Sequence, residues 1–172
     1  DAFNAEQACN ERVAYLKRFL RSTGRKGFVL GISGGVDSLL AGRLAQLACC
    51  ELRNEGVEAA FYAVRLPAGI QRDESDAKDS LAFIAPDHIL TINVGPAADA
   101  LNLQCLEGLE AGTGVALTPE QADYHKGNIK ARLRMSAQYH IAAAMGAAVM
   151  GTDHNAEAVT GFFTECGDGA CD

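Results

Sequence analysis

The residues with the clearest chemical potential form one short turn, residues 33–38, which reads Ser-Gly-Gly-Val-Asp-Ser. An apolar run over 28–32 precedes the turn, and apolar residues with helical spacing follow it, so the sequence predicts a strand, a turn and a helix in succession. Such a junction places several backbone N–H groups and a helix N-terminus around one small space, which suits a phosphate group. The turn is therefore the first candidate for a binding site.

The residue types in the turn indicate which phosphate chemistry it serves. A nucleoside-triphosphate loop of the Walker type requires a lysine that reaches the β and γ phosphates, and the turn has none. Its aspartate is placed to hold Mg²⁺, and its two serine hydroxyls can bond phosphate oxygens. This combination is typical of pyrophosphate loops, whose enzymes split ATP between the α and β phosphates. We predict Asp37, Ser33 and Ser38 as catalytic residues, and the whole stretch as ATP-binding: Gly31, Ile32, Ser33, Gly34, Gly35, Val36, Asp37 and Ser38.

Strands and helices alternate along the rest of the chain. Helical spacing predicts helices over 10–22, 38–54, 71–85, 96–109 and 119–145, and apolar runs predict strands over 28–32, 59–66, 89–94 and 147–150. Residues 110–118 contain glycine and are predicted to form a mobile loop. The alternation indicates an α/β fold, with a doubly wound parallel sheet covered by helices on both faces. In such sheets ligands bind beyond the carboxyl ends of the strands.

Composition and charge narrow the range of partners. The chain has 172 residues, 48% of them apolar, which is enough for one domain with a substantial core. Its net charge of −7 disfavours nonspecific binding to nucleic acid or to an anionic membrane, so we expect neither partner. We expect the six cysteines to be free thiols, because they show no C-x-x-C pair and no zinc-ligand spacing. With no membrane-spanning run and no secretory signal, the cytoplasm is the expected compartment.

A second motif makes the chain resemble one family. Residues 151–164 read GTDHNAEAVTGFFT, and together with the turn at 33–38 and the stretches at 63–67 and 126–132 they closely resemble the ammonia-dependent NAD synthetases. The resemblance runs from about residue 13 to residue 172. It implies the fold of the adenine-nucleotide alpha-hydrolases. Because the family continues beyond this end point, we expect residues 1–172 to form a single catalytic domain that lacks part of the family's C-terminal region.

The resemblance implies a two-step amidation. ATP activates the nicotinate carboxylate of deamido-NAD as an acyl adenylate and releases pyrophosphate, and ammonia then displaces AMP to give NAD. ATP is thus a co-substrate and Mg²⁺ the cofactor, with Asp37 and Glu157 at the family's metal-binding positions. Arg65 and Thr152 match ATP contacts. The family builds its deamido-NAD site across two subunits, so a homodimer is expected.

The second substrate's site is also implied by the resemblance. Arg134 matches a deamido-NAD contact on a helix where Lys126 and Lys130 continue a basic stripe. Family members usually have lysine where Glu165 stands, so the charge is reversed at a deamido-NAD contact. At Ala170 a side chain replaces a glycine that could adopt a positive φ. The full set predicted to bind deamido-NAD is Arg134, Arg132, Glu165, Asp168, Asp172, Tyr124 and Phe162.

Other interpretations stay open at this point. The turn at 33–38 alone would also fit another pyrophosphate-loop ligase, such as a GMP-synthetase-like amidating enzyme or a tRNA thiolase, although the lack of C-x-x-C weakens the thiolase. The chain could instead be an ATP-binding module without synthetase activity. Single residues have structural alternatives as well: Asp37 or Thr152 as helix caps, Glu157 as a solvated helix residue, and Arg65 in a surface ion pair.

Overall fold

Four parallel strands form the centre of the fold in a computed structural model that describes residues 3–69 and 74–172. The strand order is β3-β2-β1-β4, and each neighbouring pair is parallel. The chain therefore builds the sheet outward from β1 to β3 and then returns to the opposite side of β1. The predicted doubly wound parallel sheet is confirmed. The strands are β1 (Gly27–Gly31), β2 (Ala60–Arg65), β3 (His88–Thr91) and β4 (Ala148–Val149).

The predicted helices are confirmed, most of them with slightly different ends. Asn4 caps the first helix, and Thr118 forms a capping box with Gln121 at the start of the longest one. Of the helix predicted over 71–85, residues 71–73 lie outside the described residues. The helices are α1 (Ala5–Thr23), α2 (Val36–Asn54), α3 (Glu74–Ile84), α4 (Gly95–Thr113), α5 (Pro119–Met145) and α6 (Asn155–Thr160).

The mobile loop predicted over 110–118 is wrong for its first half. Helix α4 continues through Thr113 and ends where Gly114 adopts a left-handed conformation, with φ at 73° and its N–H donating to the Glu110 carbonyl. Glycine inside a helix costs only about 1 kcal/mol relative to alanine. That cost is too small to end the helix at Gly112, so the connection to α5 shortens to residues 114–118.

The core lies on both faces of the sheet because side chains alternate along each strand. Phe28 and Leu30 of β1 face one cluster, which α1, α2 and α3 cover, whereas Val29 faces the other, which α5 covers. All six cysteines are free, and burial raises the pKa of the Cys49 thiol to about 12, so this thiol stays protonated at neutral pH. Among the described residues, no helix is both long enough and apolar enough to cross a membrane.

A polar clamp closes the end of the sheet opposite to the strands' carboxyl ends. Asp87 accepts hydrogen bonds from both terminal nitrogens of Arg53, from the Gln46 side chain and from the Phe61 backbone. Burial alone would raise the pKa of the Asp87 carboxyl, but these donors outweigh it and hold the pKa below its ordinary value of 3.8. The clamp thereby joins α2, β2 and the start of β3.

We expect Asp87→Ala to lower the free energy of unfolding by about 2 kcal/mol at pH 7, because charged hydrogen bonds inside a protein are worth roughly that much. Since the folded pKa is depressed, this stabilisation is present above pH 3.8 and is lost as the pH falls through the folded value. Urea unfolding of the wild-type chain and the variant at pH 7 and at pH 3 measures the loss of stability and its dependence on pH. Asp99→Ala is the control, because its surface pair with Lys126 is worth less than about 1 kcal/mol. Equal losses in the two variants would contradict the prediction.

Candidate active site

A cavity of about 400 Å³ opens at the carboxyl ends of β1, β2 and β4. It includes the point where the strand order reverses, between β1 and β4, and such crevices are where open α/β sheets bind ligands. The cavity gathers side chains from the turn after β1, the loop after β4, helix α5 and the segment near residue 168. Its lining includes Ser33, Ser38, Arg134, Gln138, Thr152, Asp153, Glu157, Asp168 and Gly169.

The turn at 33–38 is held in shape by its own serines. The buried Ser38 hydroxyl donates to the Gly35 carbonyl at 3.0 Å and accepts the Ser33 N–H at 3.3 Å. The Ser33 hydroxyl lies 3.1 Å from that of Ser38 and accepts the Gly35 N–H. Gly34 has φ at 95°, a region that favours glycine. The turn is thus folded independently of any ligand.

Helix α2 begins at this turn without a side-chain cap: Gly35 is the N-cap residue and makes no such bond. The first N–H groups of α2 therefore remain available to an anion, and the positive end of the helix dipole adds to the attraction. Asp37 stands in the first turn of the helix, exposed, and is not among the residues that line the cavity. It does not cap the helix.

The wall opposite the turn comes from the loop after β4. Thr152, Asp153 and Glu157 line the cavity there. His154, rather than Thr152, is the N-cap of α6: its Nδ1 accepts the Glu157 N–H, and the Glu157 carboxylate accepts the His154 N–H at 3.1 Å. The capping box fixes the Glu157 carboxylate at the cavity wall, so this residue is not merely a solvated helix residue.

Three carboxylates lie near one another on this wall. Burial raises the pKa of the Asp153 carboxyl above its usual range, and the negative charges of Glu157 and Asp168 raise it further, against a smaller opposing effect of His154. The described residues contain no group of three or more histidine, cysteine, aspartate or glutamate side chains that could hold a metal ion unaided.

Helix α5 supplies the positive charge in the cavity. Arg134 donates from Nε to the Leu66 carbonyl at 3.1 Å, which ties it to the end of β2, and its terminal nitrogen lies 3.8 Å from the Asp168 carboxylate. Arg132 donates to the Glu165 carbonyl at 3.2 Å. The two arginines therefore hold the segment after α6 against α5. The predicted basic stripe is interrupted, because Lys126 pairs with Asp99 of α4 at 2.5 Å.

The segment at 167–171 packs on the loop after β4 through glycines. A Cβ on Gly151 would lie 2.5 Å from the Gly169 carbonyl oxygen, and a Cβ on Gly169 would overlap the Asp153 carboxylate. The expectation that Ala170 occupies a positive-φ position is wrong. Positive φ occurs instead at Cys166, at 54°. The glycines of this segment are needed for space rather than for backbone conformation.

A second cavity of about 310 Å³ adjoins the first and shares Asp153, Glu157, Asp168 and Gly169 with it. Aromatic side chains line its outer part, and those of Tyr124 and Phe162 are largely exposed at 72% and 81%. Phe163, Asn128 and Thr164 complete its wall. Of the seven residues predicted to bind the second substrate, four line the cavities: Arg134, Asp168, Tyr124 and Phe162.

Eight of the predicted site residues line neither cavity: Gly34, Gly35, Val36, Asp37, Arg65, Arg132, Glu165 and Asp172. Arg65 is largely buried at the end of β2 and does not line either cavity. Asp172 is bound to β4, since its N–H donates to the Val149 carbonyl at 3.1 Å and its carboxylate accepts the Val149 N–H at 2.9 Å. Within the described residues, the Asp172 side chain therefore contributes to the edge of the sheet.

Two polar side chains of the main cavity, those of Asp153 and Gln138, are absent from the predicted site residues. Asp153 adjoins Thr152 in the motif after β4 and could have been inferred from that position alone. Gln138 is almost fully buried, at 1% exposure, and accepts the Gly31 N–H. Its position was the signal in the sequence that could have identified it. Gln138 is a polar residue next to Ala137 and one helical turn before Ile141, which both face the sheet.

The comparisons with known proteins agree with this geometry. The family model described as NAD synthase matches residues 8–172. An NH(3)-dependent NAD(+) synthetase of Streptomyces coelicolor is 54% identical over 172 residues, which are all of this chain and 61% of that protein. The chain therefore spans about three fifths of the length of such relatives.

Solved structures extend the comparison to the fold. An NAD+ synthetase from Burkholderia pseudomallei superposes with a TM-score of 0.86 at 48% identity, covering 99% of this chain and 61% of that one. An NMN synthetase from Francisella tularensis superposes with a TM-score of 0.78 at 29% identity, covering 99% of this chain and 63% of that one. With the fold of these proteins, and a family model that matches nearly its whole length, the chain belongs to the NAD synthase family.

Proposed function

We propose that this chain carries the catalytic site of an ammonia-dependent NAD synthetase, a ligase that amidates deamido-NAD at the expense of ATP. The observation that carries the proposal is the joining of two cavities. One contains the phosphate turn, the other carries aromatic walls, and the charged residues Arg134, Asp153, Glu157 and Asp168 lie at or beside their junction. A carboxylate of one substrate and the α-phosphate of the other can meet only at such a junction.

In the first step, a carboxylate oxygen of deamido-NAD attacks the α-phosphorus of ATP, and the bond to the pyrophosphate oxygen breaks. Negative charge accumulates on the leaving pyrophosphate. The uncapped N-terminus of α2 and the Ser33 hydroxyl are donors placed to stabilise that charge, whereas the Ser38 hydroxyl gives its one proton to the Gly35 carbonyl and holds the turn in shape. We assign ATP contacts to these residues and, by family position, to Arg65 and Thr152, of which only Thr152 lines the cavity.

The donor set fits Mg²⁺. This ion prefers oxygen ligands and often takes only one or two carboxylates together with substrate phosphates and water. The Glu157 carboxylate is fixed at the wall, and the pKa of Asp153 is raised by burial first and by the charges of Glu157 and Asp168 second, so a nearby cation would favour the ionised carboxylate. Asp37 and Glu157 would hold the ion, which when bound would neutralise the phosphate charge that develops in the transition state.

In the second step ammonia attacks the carbonyl carbon of the adenylate, AMP leaves, and one proton is lost from nitrogen. The hydrogen bond from Arg134 Nε to the Leu66 carbonyl fixes the orientation of the guanidinium group. We assign its terminal nitrogens to the anionic groups of the substrate. The aromatic wall with Tyr124 and Phe162 is assigned to the bases of deamido-NAD, which stack on such side chains. Asp168, beside Arg134, lies at the same junction.

Two further assignments belong to the same proposal. We assign a homodimer, as the family resemblance implies. We assign the cytoplasm as the compartment, in keeping with free cysteines and a supply of ATP.

The test is product formation with the purified chain. Deamido-NAD, ATP, Mg²⁺ and ammonium are expected to give NAD, and omission of any one of them is expected to abolish it. Xanthylate replaces deamido-NAD to test the GMP-synthetase-like alternative. Nicotinate mononucleotide replaces it to test whether the site accepts the same carboxylate on a mononucleotide. ATP binding without deamido-NAD binding in calorimetry would instead support an ATP-binding module. Product from xanthylate but not from deamido-NAD would refute the proposal.

The charge at residue 165 gives a further prediction. Glu165 is exposed beside the second substrate's site, and its carbonyl is held by Arg132. Because relatives usually carry lysine there, Glu165→Lys is expected to lower the KM for deamido-NAD about tenfold, as a new charge-assisted bond would. The KM for ATP should change little. Glu11→Lys, the same change of charge on exposed α1, is the control. An equal effect of both variants would show only long-range electrostatics and contradict the prediction.

A further inference from the structure

Gln138 of α5 lies beside the carboxyl end of β1, where the main cavity opens. The backbone groups of successive residues in β1 point alternately toward β2 and toward β4. The Ile32 N–H donates to the Val64 carbonyl on the β2 side, and the Val29 carbonyl accepts the Met150 N–H on the β4 side. The Gly31 N–H therefore points toward β4. If the ladder continued, the Met150 carbonyl would accept it.

The side chain of Gln138 takes that position instead. Its Oε1 accepts the Gly31 N–H at 2.7 Å, and its Nε2 lies 3.5 Å from the Arg134 carbonyl. Because the Gly31 nitrogen needs an acceptor, this bond also fixes which way the amide points. The side chain is almost fully buried and lines the main cavity. A hypothetical Cβ on Gly31 would lie 3.4 Å from the amide, so the two groups are in close contact.

We propose that Gln138 is a positioning residue. Where β1 and β4 diverge, its amide oxygen replaces the backbone carbonyl that would otherwise accept the Gly31 N–H. This hydrogen bond holds the start of the phosphate turn in place. Arg134 lies one helical turn earlier on α5 and is bonded to the end of β2. Through Gln138 and Arg134, one face of α5 fixes the ends of two neighbouring strands. The distance between the phosphate turn and Arg134 is thereby set by one rigid helix.

The functional part of this inference rests on the proposed function, so the test begins with a measurement that needs no turnover. In Gln138→Met the side chain keeps its length but loses the acceptor. We expect amide hydrogen exchange at Gly31 to accelerate at least about tenfold in the ATP-free protein, and the dissociation constant for ATP to rise about tenfold. Unchanged protection at Gly31 would overturn the proposal.

A second buried glutamine provides the matched control. Gln46 also bonds through both atoms of its amide, to Asp87, but it lies in the clamp at the other end of the sheet. Gln46→Met is expected to lower the midpoint of thermal unfolding without changing Gly31 exchange or the KM for ATP. In Gln138→Met, by contrast, the KM for ATP should rise while the KM for ammonium stays constant. Equal effects of the two variants on the KM for ATP would reduce Gln138 to a structural role.

Gln138→Glu tests the same point if the methionine variant does not fold. Its carboxylate keeps an acceptor for the Gly31 N–H, so we expect it to fold and to keep Gly31 protected. Loss of Gly31 protection in this variant would contradict the proposal. Because exchange and ATP binding are measured without product formation, a chain that binds ATP but makes no NAD would refute the proposed function and not the role of Gln138.

Discussion

Ser38→Ala is expected to reduce ATP-dependent turnover about a hundredfold, which is the usual loss when one preorganised donor is removed from a charged transition state. The Ser38 hydroxyl bonds Ser33 and Gly35 at once and is buried at 3% exposure. Without it, the Ser33 N–H and the Gly35 carbonyl lose a partner. The turn then no longer presents its N–H groups in a fixed arrangement.

Steady-state kinetics with varied ATP measure this effect. The loss should appear in kcat and in kcat/KM for ATP, because the donors act most strongly on the charge that develops on pyrophosphate. Ser22→Ala is the control: its hydroxyl is also bonded to a backbone carbonyl, that of Phe19, but it lies on exposed α1. A Ser38→Ala enzyme with normal kcat would show that the turn binds ATP without assisting its cleavage.

Gly169→Ala is expected to have the second large effect. The new Cβ would overlap the Asp153 carboxylate, and no side-chain rotation of alanine can relieve that contact. Either Asp153 leaves the cavity wall or the segment at 167–171 separates from the loop after β4. The first outcome displaces Asp153, and the second displaces Asp168, and both residues line the two cavities. We expect turnover to fall at least about a hundredfold, as small displacements of positioning groups produce.

Gly108→Ala separates this effect from a general cost of replacing glycine. Gly108 lies in α4, and a Cβ there would contact nothing within 4 Å. This variant should be more stable by up to about 1 kcal/mol, since alanine favours a helix, and should keep its activity. Thermal unfolding and turnover are measured on both variants. Full activity in Gly169→Ala would mean that the two loops can separate without consequence for the site.

Most of the fold could be predicted because its elements are local and strongly patterned. Helical spacing predicts the 119–145 helix, and both of its ends are confirmed. The prediction for the segment 110–113 is wrong because it gives too much weight to the glycine at 112, since one glycine inside a helix costs only about 1 kcal/mol. The helix ends instead at Gly114, which adopts a positive φ.

The candidate site divides in a similar way. Ser38 lies in the turn after β1, and Thr152 lies in the loop after β4. Both could be placed from the sequence, because the strand before each of them fixes its position. Gln138 could not, because its partner Gly31 is more than a hundred residues away in sequence. Asp172 was assigned to the substrate's site by family position, but its carboxylate bonds the edge of β4, a contact that exists only after folding.

The central claim is that the two joined cavities form one site in which a carboxylate is activated by adenylation. The most direct test uses deamido-NAD labelled with ¹⁸O in its nicotinate carboxylate, together with ATP, Mg²⁺ and ammonium. An acyl adenylate requires that one labelled oxygen remain bonded to the α-phosphorus when AMP leaves. Mass spectrometry is therefore expected to find one ¹⁸O in AMP for each NAD formed, with unlabelled pyrophosphate. Unlabelled AMP, or ADP and phosphate in place of AMP and pyrophosphate, would contradict the account.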